Sequence, residues 1–462
     1  MIQFRIKPEI ILQLLIVWIG YPCLAQKEIP QNPNRYETDK SKKGNWTVLY
    51  NEDGIETNDP SSTAYYRLIT YKKGIIEGQV VDHYKSGVKK WEGYLTSDDP
   101  DSLTGINKWY DTDGNLICIL HFDNDKLQLS ISEALHPNRS NKNLTFENSL
   151  EFYADLLAKK KRYNEAISIY QILISAIQKT GAKPIDMARI FQSTGSSWLF
   201  IDEYINALTN FQLASQVTDR EEDLVPAYLK SGECLIKLGQ YDSAHFYLNK
   251  SIELQKSFKT TETDTYAQTL DQSGLAYYNL KDYNPAINNF KKALGILKSG
   301  QKQISEEYII MLHHAALSYA ESGSSAAAVK AQKLGVTIAG KVYEKGSAEI
   351  AYVQMQMAKI YLNCSQPGMA LKEALPALRV LKRNKDSYTK LYVGGLIITG
   401  EIYENLKQEK LVEYYYNLAL KTIDEYRGSY NIDYTQLLAR LADLQFDSGR
   451  FECQVFVRSV RM

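Results

Sequence analysis

One spacing, hung on eight regularly placed anchors, constrains the fold of this chain more than any other feature. From Tyr283, the residues at plus three, plus seven and plus ten are Ala286, Phe290 and Ala293. Tyr241 is followed in the same way by Ala244, Leu248 and Ser251, Tyr204 by Ala207, Phe211 and Ala214, and Tyr163 by Ala166, Tyr170 and Leu173. Further on, Ser325 gives Ala328, Pro367 gives Ala370, Ala374 and Ala377, Glu409 gives Tyr416 and Ala419, and Phe451 closes the series. The steps between anchors are 41, 37, 42, 42, 42, 42 and 42 residues. Such a period marks stacked supersecondary units, none of which can bury its apolar face alone.

A second signature lies nine residues before each anchor: Ala154, Gly195, Gly232, Gly274, Ala316, Ala358, Gly400 and Ala442. Glycine costs about 1 kcal/mol in a helix interior relative to alanine, so its repeated use requires close approach of a second helix at that point. Six residues before the anchor comes an aromatic filler at Trp198, Tyr277, Tyr319, Tyr361 and Tyr403. A turn follows, with Gly239, Gly323 and Gly449 two residues before their anchors. Each unit therefore reads as two antiparallel helices. The 34 tyrosines suit such half-buried pairs, because the ring packs while the hydroxyl reaches water.

These motifs resemble tetratricopeptide repeats, in the longer form of about 42 residues seen in kinesin-light-chain-like arrays. The HEAT and armadillo repeats have similar periods but lack this Gly/Ala, Tyr-x-x-Ala, aromatic, Ala order. Ser325, Pro367 and Glu409 depart from the family pattern, which blurs the boundaries of their units. The resemblance implies a mainly α fold, a right-handed α-α superhelix (tetratricopeptide solenoid) of about seven to eight helix pairs over residues 146–455, with a concave face that holds other polypeptides.

The resemblance also implies which residues bind. Positions twelve, eight, five and four before the anchor face the groove in the family. In this sequence they select Gln192, Ser196 and Leu199, then Leu229, Glu233 and Lys237, then Asp271, Tyr278 and Asn279. The later units contribute His313 and Glu321, then Met355, Lys359 and Asn363, then Glu401, Glu404 and Asn405. A variant of the family that grips terminal carboxylates needs Lys where Gln192, Asp271 and His313 stand, so that clamp is not expected. The groove reads as mixed polar and apolar, fit for an extended peptide or a partner's surface.

Residues 44–125 follow a different rhythm. NWTVLYNEDG, LITYKKG, VVDHYKSGVKKWEGYL and NKWYDTDGNLICILHF are short aromatic and β-branched runs broken by glycine. Tyr50 and Gly54, Tyr71 and Gly74, Tyr84 and Gly87, and Tyr110 and Gly114 repeat a Tyr-turn-Gly theme, a hairpin signal. This region resembles the MORN-like hairpin repeats of bacterial proteins, which implies a small antiparallel β hairpin-repeat domain. Residues 26–43 read as a flexible segment and 126–145 as a linker.

The N-terminus has Arg5 and Lys7, an apolar run from Ile10 to Ile19, and Cys23-Leu24-Ala25. That is the pattern of a bacterial-type secretory signal peptide over residues 1–25, cut near Ala25-Gln26, and it predicts an exported protein, periplasmic or secreted. Gly20-Tyr21-Pro22 is a poor lipobox, which argues against lipidation at Cys23. The apolar run is too short for a membrane span, and no later segment is long and apolar enough for a transmembrane helix.

Fifty-four basic residues balance 54 acidic ones, which argues against nucleic acid as a partner. Cys118, Cys234, Cys364 and Cys453 are far apart and show no zinc-binding spacing; those inside helical patterns read as small core residues. Of the six histidines none sits in HExxH, and neither GxSxG nor a phosphate loop occurs. The adjacent His313 and His314 read as one groove-facing and one packing residue, not as metal ligands. Asp98-Asp99-Pro100-Asp101 reads as a solvated turn, since it lacks the spaced ligands of a calcium loop. No catalytic residues, cofactor or metal are expected.

The last unit opens regularly with LLARLADLQFDSGRFE and then reads CQVFVRSVRM, where a polar cap would be needed. Residues 456–462 are thus an irregular end, consistent with a truncation. The sequence therefore reads as a non-enzymatic exported scaffold that binds a protein or peptide partner. The alternative is the sensor half of a protein whose C-terminal caspase-like peptidase domain is missing, a pairing that the resemblance brings with it. A cell-envelope structural protein anchored by its hairpin domain is a third reading.

Overall fold

The computed structural model describes residues 29–30, 34–36, 41–136, 144–180 and 185–425. The proposed signal peptide, and Ala442, Gly449, Phe451 and Cys453 of the last unit, lie outside the described residues. The chain divides into two compact units, 1–182 and 183–462.

In the first unit, glycine-broken runs form an antiparallel sheet. Its strands are β1 (Arg35–Tyr36), β2 (Lys42–Tyr50), β3 (Tyr65–Lys72), β4 (Ile75–Ile76), β5 (Val80–Tyr84), β6 (Lys89–Asp98), β7 (Asp101–Tyr110), β8 (Leu116–Asp123) and β9 (Lys126–Leu127). They lie in the order β1-β2-β3-β5-β6-β7-β8-β9, and β4 pairs with β3. The Tyr-turn-Gly theme closes two of the hairpins. Gly87 donates its N–H to the Tyr84 carbonyl at 2.8 Å, and Gly114 donates to that of Asp111 at 3.1 Å. Both glycines have φ near +85° (84° and 86°), where a side chain is strained.

Alternation along the strands sets the core. Cys118, Leu120 and Phe122 of β8 point one way and are buried, as are Trp46 and Val48 of β2. Three helices follow: α1 (Leu129–Ala134), α2 (Phe146–Lys159) and α3 (Tyr163–Thr180). Tyr153 of α2 seats its ring 5.1 Å from Phe122 and 5.8 Å from Trp109, so α2 covers the buried sheet face. Two expectations need correction here. β1 and the first residues of β2 fall inside 26–43, read as flexible, and 126–145, read as a linker, carries β9 and α1. Both are short edge elements whose order comes from pairing and docking, as when Ser132 Oγ of α1 accepts from His121 N at 2.9 Å. Neither has a periodic signal of its own.

The second unit is helical. Its described elements are α4 (Ile185–Phe200), α5 (Tyr204–Gln216), α6 (Glu221–Lys237), α7 (Tyr241–Ser257), α8 (Asp264–Asn279), α9 (Tyr283–Ser299), α10 (Glu306–Glu321), α11 (Ser325–Val342), α12 (Ala348–Asn363), α13 (Pro367–Arg383), α14 (Thr389–Asn405) and α15 (Glu409–Glu425). They form consecutive antiparallel pairs, and each second helix starts on its anchor, the irregular Ser325, Pro367 and Glu409 included. First helices are capped by side chains at three places, where Thr263, Ser305 and Ser347 hydroxyls accept from backbone N–H groups of Tyr266, Tyr308 and Ile350. Each pair turns through one residue in the left-handed region, two before the anchor: Asp202, Gly239, Lys281, Gly323, Ser365 and Lys407. The next N–H then reaches back five residues, as from Asp282 to the Tyr277 carbonyl at 2.9 Å, which closes a Schellman-type C-cap.

The small residue nine before each anchor faces the large one seven after it. A methyl group added to Gly274 would lie 2.6 Å from Phe290 Cε1, one on Gly232 2.5 Å from Leu248 Cγ, and one on Gly400 2.2 Å from Tyr416 Cε1. Where alanine stands instead, at 316 and 358 in this unit, the facing residues are Gln332 and Ala374, which have no ring. At Gly195, Gly232, Gly274 and Gly400 small and large are thus matched. Phe290 is fully buried in this arrangement, which stabilises the fold by about 1.5–3 kcal/mol per side chain of its kind.

First helices of successive pairs touch one another along the whole unit, whereas second helices do so at most marginally. The stack therefore bends with its first helices on the inner side. An exposed ion pair, Lys390 to Asp202, joins the start of α14 to the turn of the first pair.

Candidate functional site

The inner side carries an open polar cavity of about 730 Å³ lined by Glu321, Lys359, Leu362, Asn363, Glu401, Glu404, Asn405 and Lys407. All but Lys407 come from α10, α12 and α14, at positions eight, five or four before the anchor. At 100° per residue those three positions span roughly a 100° arc of a helix, so one periodic rule places them on one face.

Neighbouring stripes are tied by contacts one repeat apart. Lys359 Nζ lies 2.5 Å from Glu401 Oε2, and Asn363 Nδ2 donates to Glu321 Oε1 at 2.9 Å; each pair is separated by 42 residues. Glu404 accepts from the Tyr416 hydroxyl at 2.9 Å, and Asn405 Nδ2 donates to the Glu401 carbonyl at 3.2 Å. The Lys359–Glu401 pair is held in part away from water, with side-chain exposures of 30% and 11%. The wall presents carboxylates, amides and ammonium groups in alternation, chemistry that serves hydrogen bonding to a polypeptide main chain and its polar side chains.

Of the residues selected by the sequence, Glu321, Lys359, Asn363, Glu401, Glu404 and Asn405 meet here. Gln192, Glu233, Lys237, Asp271, Tyr278, Asn279 and His313 do not. Glu233 pairs with Lys230 at 2.8 Å, Lys237 is exposed, and Asn279 Nδ2 donates to the Leu275 carbonyl at 2.8 Å. Tyr278 stands against Tyr283, with ring centroids 5.8 Å apart, and burial pushes its hydroxyl up to about 12.

The twelfth position before the anchor requires correction as a groove position. Asp271 is buried and meets His314 Nδ1 at 2.9 Å, an inter-repeat contact. His313 Nδ1 is 3.0 Å from Gln332 Oε1 of α11, and burial, with His314 beside it, pushes this imidazole down to about 3. Gln192 Nε2 donates to the Asp223 carbonyl at 2.9 Å, while Leu229 and Met355 belong to the core. Relative to the fourth position the twelfth is turned by about 80° and lies two turns deeper along the helix, which carries it into the seam between helices. Lys407 was missed by sequence reasoning because it sits in the turn, at the left-handed residue, and not on a helix.

Residues 225–258 and 267–296 match the tetratricopeptide repeat family. No characterised protein shows significant similarity to the chain in sequence. Among solved structures, the apo form of RapI aligns over 61% of this chain and 98% of its own, at 17% identity and a TM-score of 0.51. The apo form of the quorum sensor NprR from B. thuringiensis aligns over 60% of this chain and 76% of its own, at 15% identity and the same TM-score of 0.51. A tetratricopeptide repeat protein from Parabacteroides merdae covers 63% of this chain and 97% of its own at 13% identity, with a TM-score of 0.44. At these identities the likeness is one of fold.

Proposed function

We propose that this tetratricopeptide repeat protein is a non-catalytic interaction scaffold that holds an extended polypeptide segment on the inner side of its helical array. The observation that carries the reading is the convergence of Glu321, Lys359, Asn363, Glu401, Glu404 and Asn405, from three successive repeats, on one open cavity. Periodic polar side chains at this spacing offer a strip of donors and acceptors to a chain lying across the first helices, a use common to solenoid surfaces. The partner is a protein or peptide. Export to the periplasm or the medium belongs to the same proposal and rests on the charged and apolar pattern of residues 1–25.

The test compares proteins retained from envelope extract by wild type, by a triple variant Lys359→Ala, Asn363→Ala, Asn405→Ala, and by Lys333→Ala on the outer helix α11. A partner held by wild type and by Lys333→Ala but lost by the triple variant supports the reading. Equal retention by all three, with the triple variant folded by circular dichroism, refutes it.

A further inference from the structure

A smaller cavity in the first unit, of about 120 Å³, lies between the sheet and α2. Two features of its lining differ in kind. Arg67, almost fully buried, is saturated: its Nε donates to Asp82 Oδ1 at 2.7 Å, Nη2 to Asp82 Oδ2 at 3.0 Å and Asp101 Oδ2 at 2.9 Å, and Nη1 to Asp101 Oδ1 at 2.5 Å. Lys90 is not. Its ammonium stands 3.2 Å from the centroid of the Tyr65 ring and 6.0 Å from that of Tyr84, and no carboxylate pairs with it among the described residues.

The backbone explains how a lysine comes to point there. The pairing of β5 with β6 shifts between Asp82, which faces Trp91, and His83, which faces Lys89. Lys90 is the extra residue of a bulge, a device that re-aims a side chain. As a result Lys90 and Trp91, adjacent in sequence, both line the cavity. The Trp91 indole N–H is buried and finds no acceptor among the described residues, a second unanswered donor. Trp109, Phe152 and Tyr153 supply apolar walls, and Lys160 and Arg162 add positive charge. Arg162 is paired with Glu165, so Arg67, Lys90, Lys160 and Arg162 make four cations against the three carboxylates of Asp82, Asp101 and Glu165.

We propose that this cavity binds a carboxylate carried on a small aromatic or apolar body, with the Lys90 ammonium as its counter-ion and the aromatic walls around the body. The volume falls below the roughly 300–1,000 Å³ of pockets for drug-sized ligands, so the occupant is a single ring or side chain. A monoanion is favoured over a phosphate, because apolar walls make desolvation of a dianion costly. Such a carboxylate has two sources, a free aromatic acid or the C-terminal residue of a peptide.

Ligand-detected NMR on the full chain at pH 7, with benzoate, the neutral benzamide and N-acetylphenylalanine, tests this directly. Benzoate is expected to bind at least about tenfold more tightly than benzamide and to lose about tenfold in Lys90→Met, while Lys90→Arg retains binding. Tighter binding of N-acetylphenylalanine than of benzoate points to a peptide end, and the reverse to a free acid. Burial, with Lys160, Lys159 and Arg67 nearby and Asp82 opposing, brings Lys90 down to about 8. Tyr65 and Tyr84 are held neutral well above that by burial, and Asp101 and the Arg162–Glu165 ion pair complete the charged surroundings. Benzoate affinity should therefore fall about tenfold between pH 7 and pH 9. Equal binding of benzoate and benzamide, no binding of either acid, or undiminished binding by a folded Lys90→Met would overturn the proposal.

Discussion

Lys359 and Glu401 stand 42 residues apart in sequence and 2.5 Å apart in space, one repeat spanned by one ion pair. The pair fixes neighbouring first helices at the floor of the candidate groove. Lys359→Glu, which sets two carboxylates against each other, should lower stability by about 1 kcal/mol or somewhat more, since the pair is partly shielded from water. The exchange Lys359→Glu with Glu401→Lys should recover most of that loss. Urea midpoints of the two variants decide it; a double variant no more stable than the single one shows that the contact is not a pairwise interaction.

Gly400 is the tightest of the helix-crossing glycines. Gly400→Ala should cost about 1–3 kcal/mol, because the new methyl group meets the Tyr416 ring. Gly340, on α11, has nothing within 4 Å of the same added atom, and Gly340→Ala should be neutral or stabilise by up to about 1 kcal/mol. Thermal melts of both variants check the contrast, and adding Tyr416→Leu should relieve the Gly400→Ala penalty.

His313 stays neutral in the folded protein down to about pH 3, while an unfolded chain takes up a proton below its ordinary value of 6.5. Protons then favour the unfolded state, so this residue's contribution is intact above pH 6.5 and declines as pH falls from there. The slope approaches at most about 1.4 kcal/mol per pH unit. His313→Asn, whose amide can take the place of Nδ1 against Gln332, should flatten the fall between pH 6 and pH 4.5. Midpoints of urea unfolding across that range measure it, and parallel curves for the two proteins would contradict it.

The Lys390–Asp202 pair is exposed, with side-chain exposures of 64% and 28%. Lys390→Ala should therefore change stability by less than about 1 kcal/mol, and by nothing measurable in molar salt. A larger loss would mean that the contact between distant repeats is structural.

The phase of the array was legible in sequence because crossing helices demand small residues at fixed intervals, and Gly195, Gly232, Gly274 and Gly400 have few alternatives. The turns were legible only at Gly239 and Gly323. Asp202, Lys281, Ser365 and Lys407 adopt the same left-handed conformation without the residue that announces it. In the groove, positions eight and four before the anchor could be read from periodicity, whereas Asp271 and His313 turn into the seam for reasons of helix depth that a one-dimensional pattern does not carry. The cavity around Lys90 was invisible for a different reason. Strict alternation puts Lys90 and Trp91 on opposite faces of a strand, and only the register shift against β5 brings them together.

The central claim, that the inner stripe is a binding face, is tested most directly by site-specific photo-crosslinking. A benzophenone side chain placed at Asn363 or Asn405, and at Lys333 on the outer helix as a control, is irradiated in intact producing cells. The account predicts one discrete crosslinked protein shared by positions 363 and 405 and absent from 333. Crosslinks of equal yield and identity from all three positions, or a discrete partner found only at 333, would contradict it.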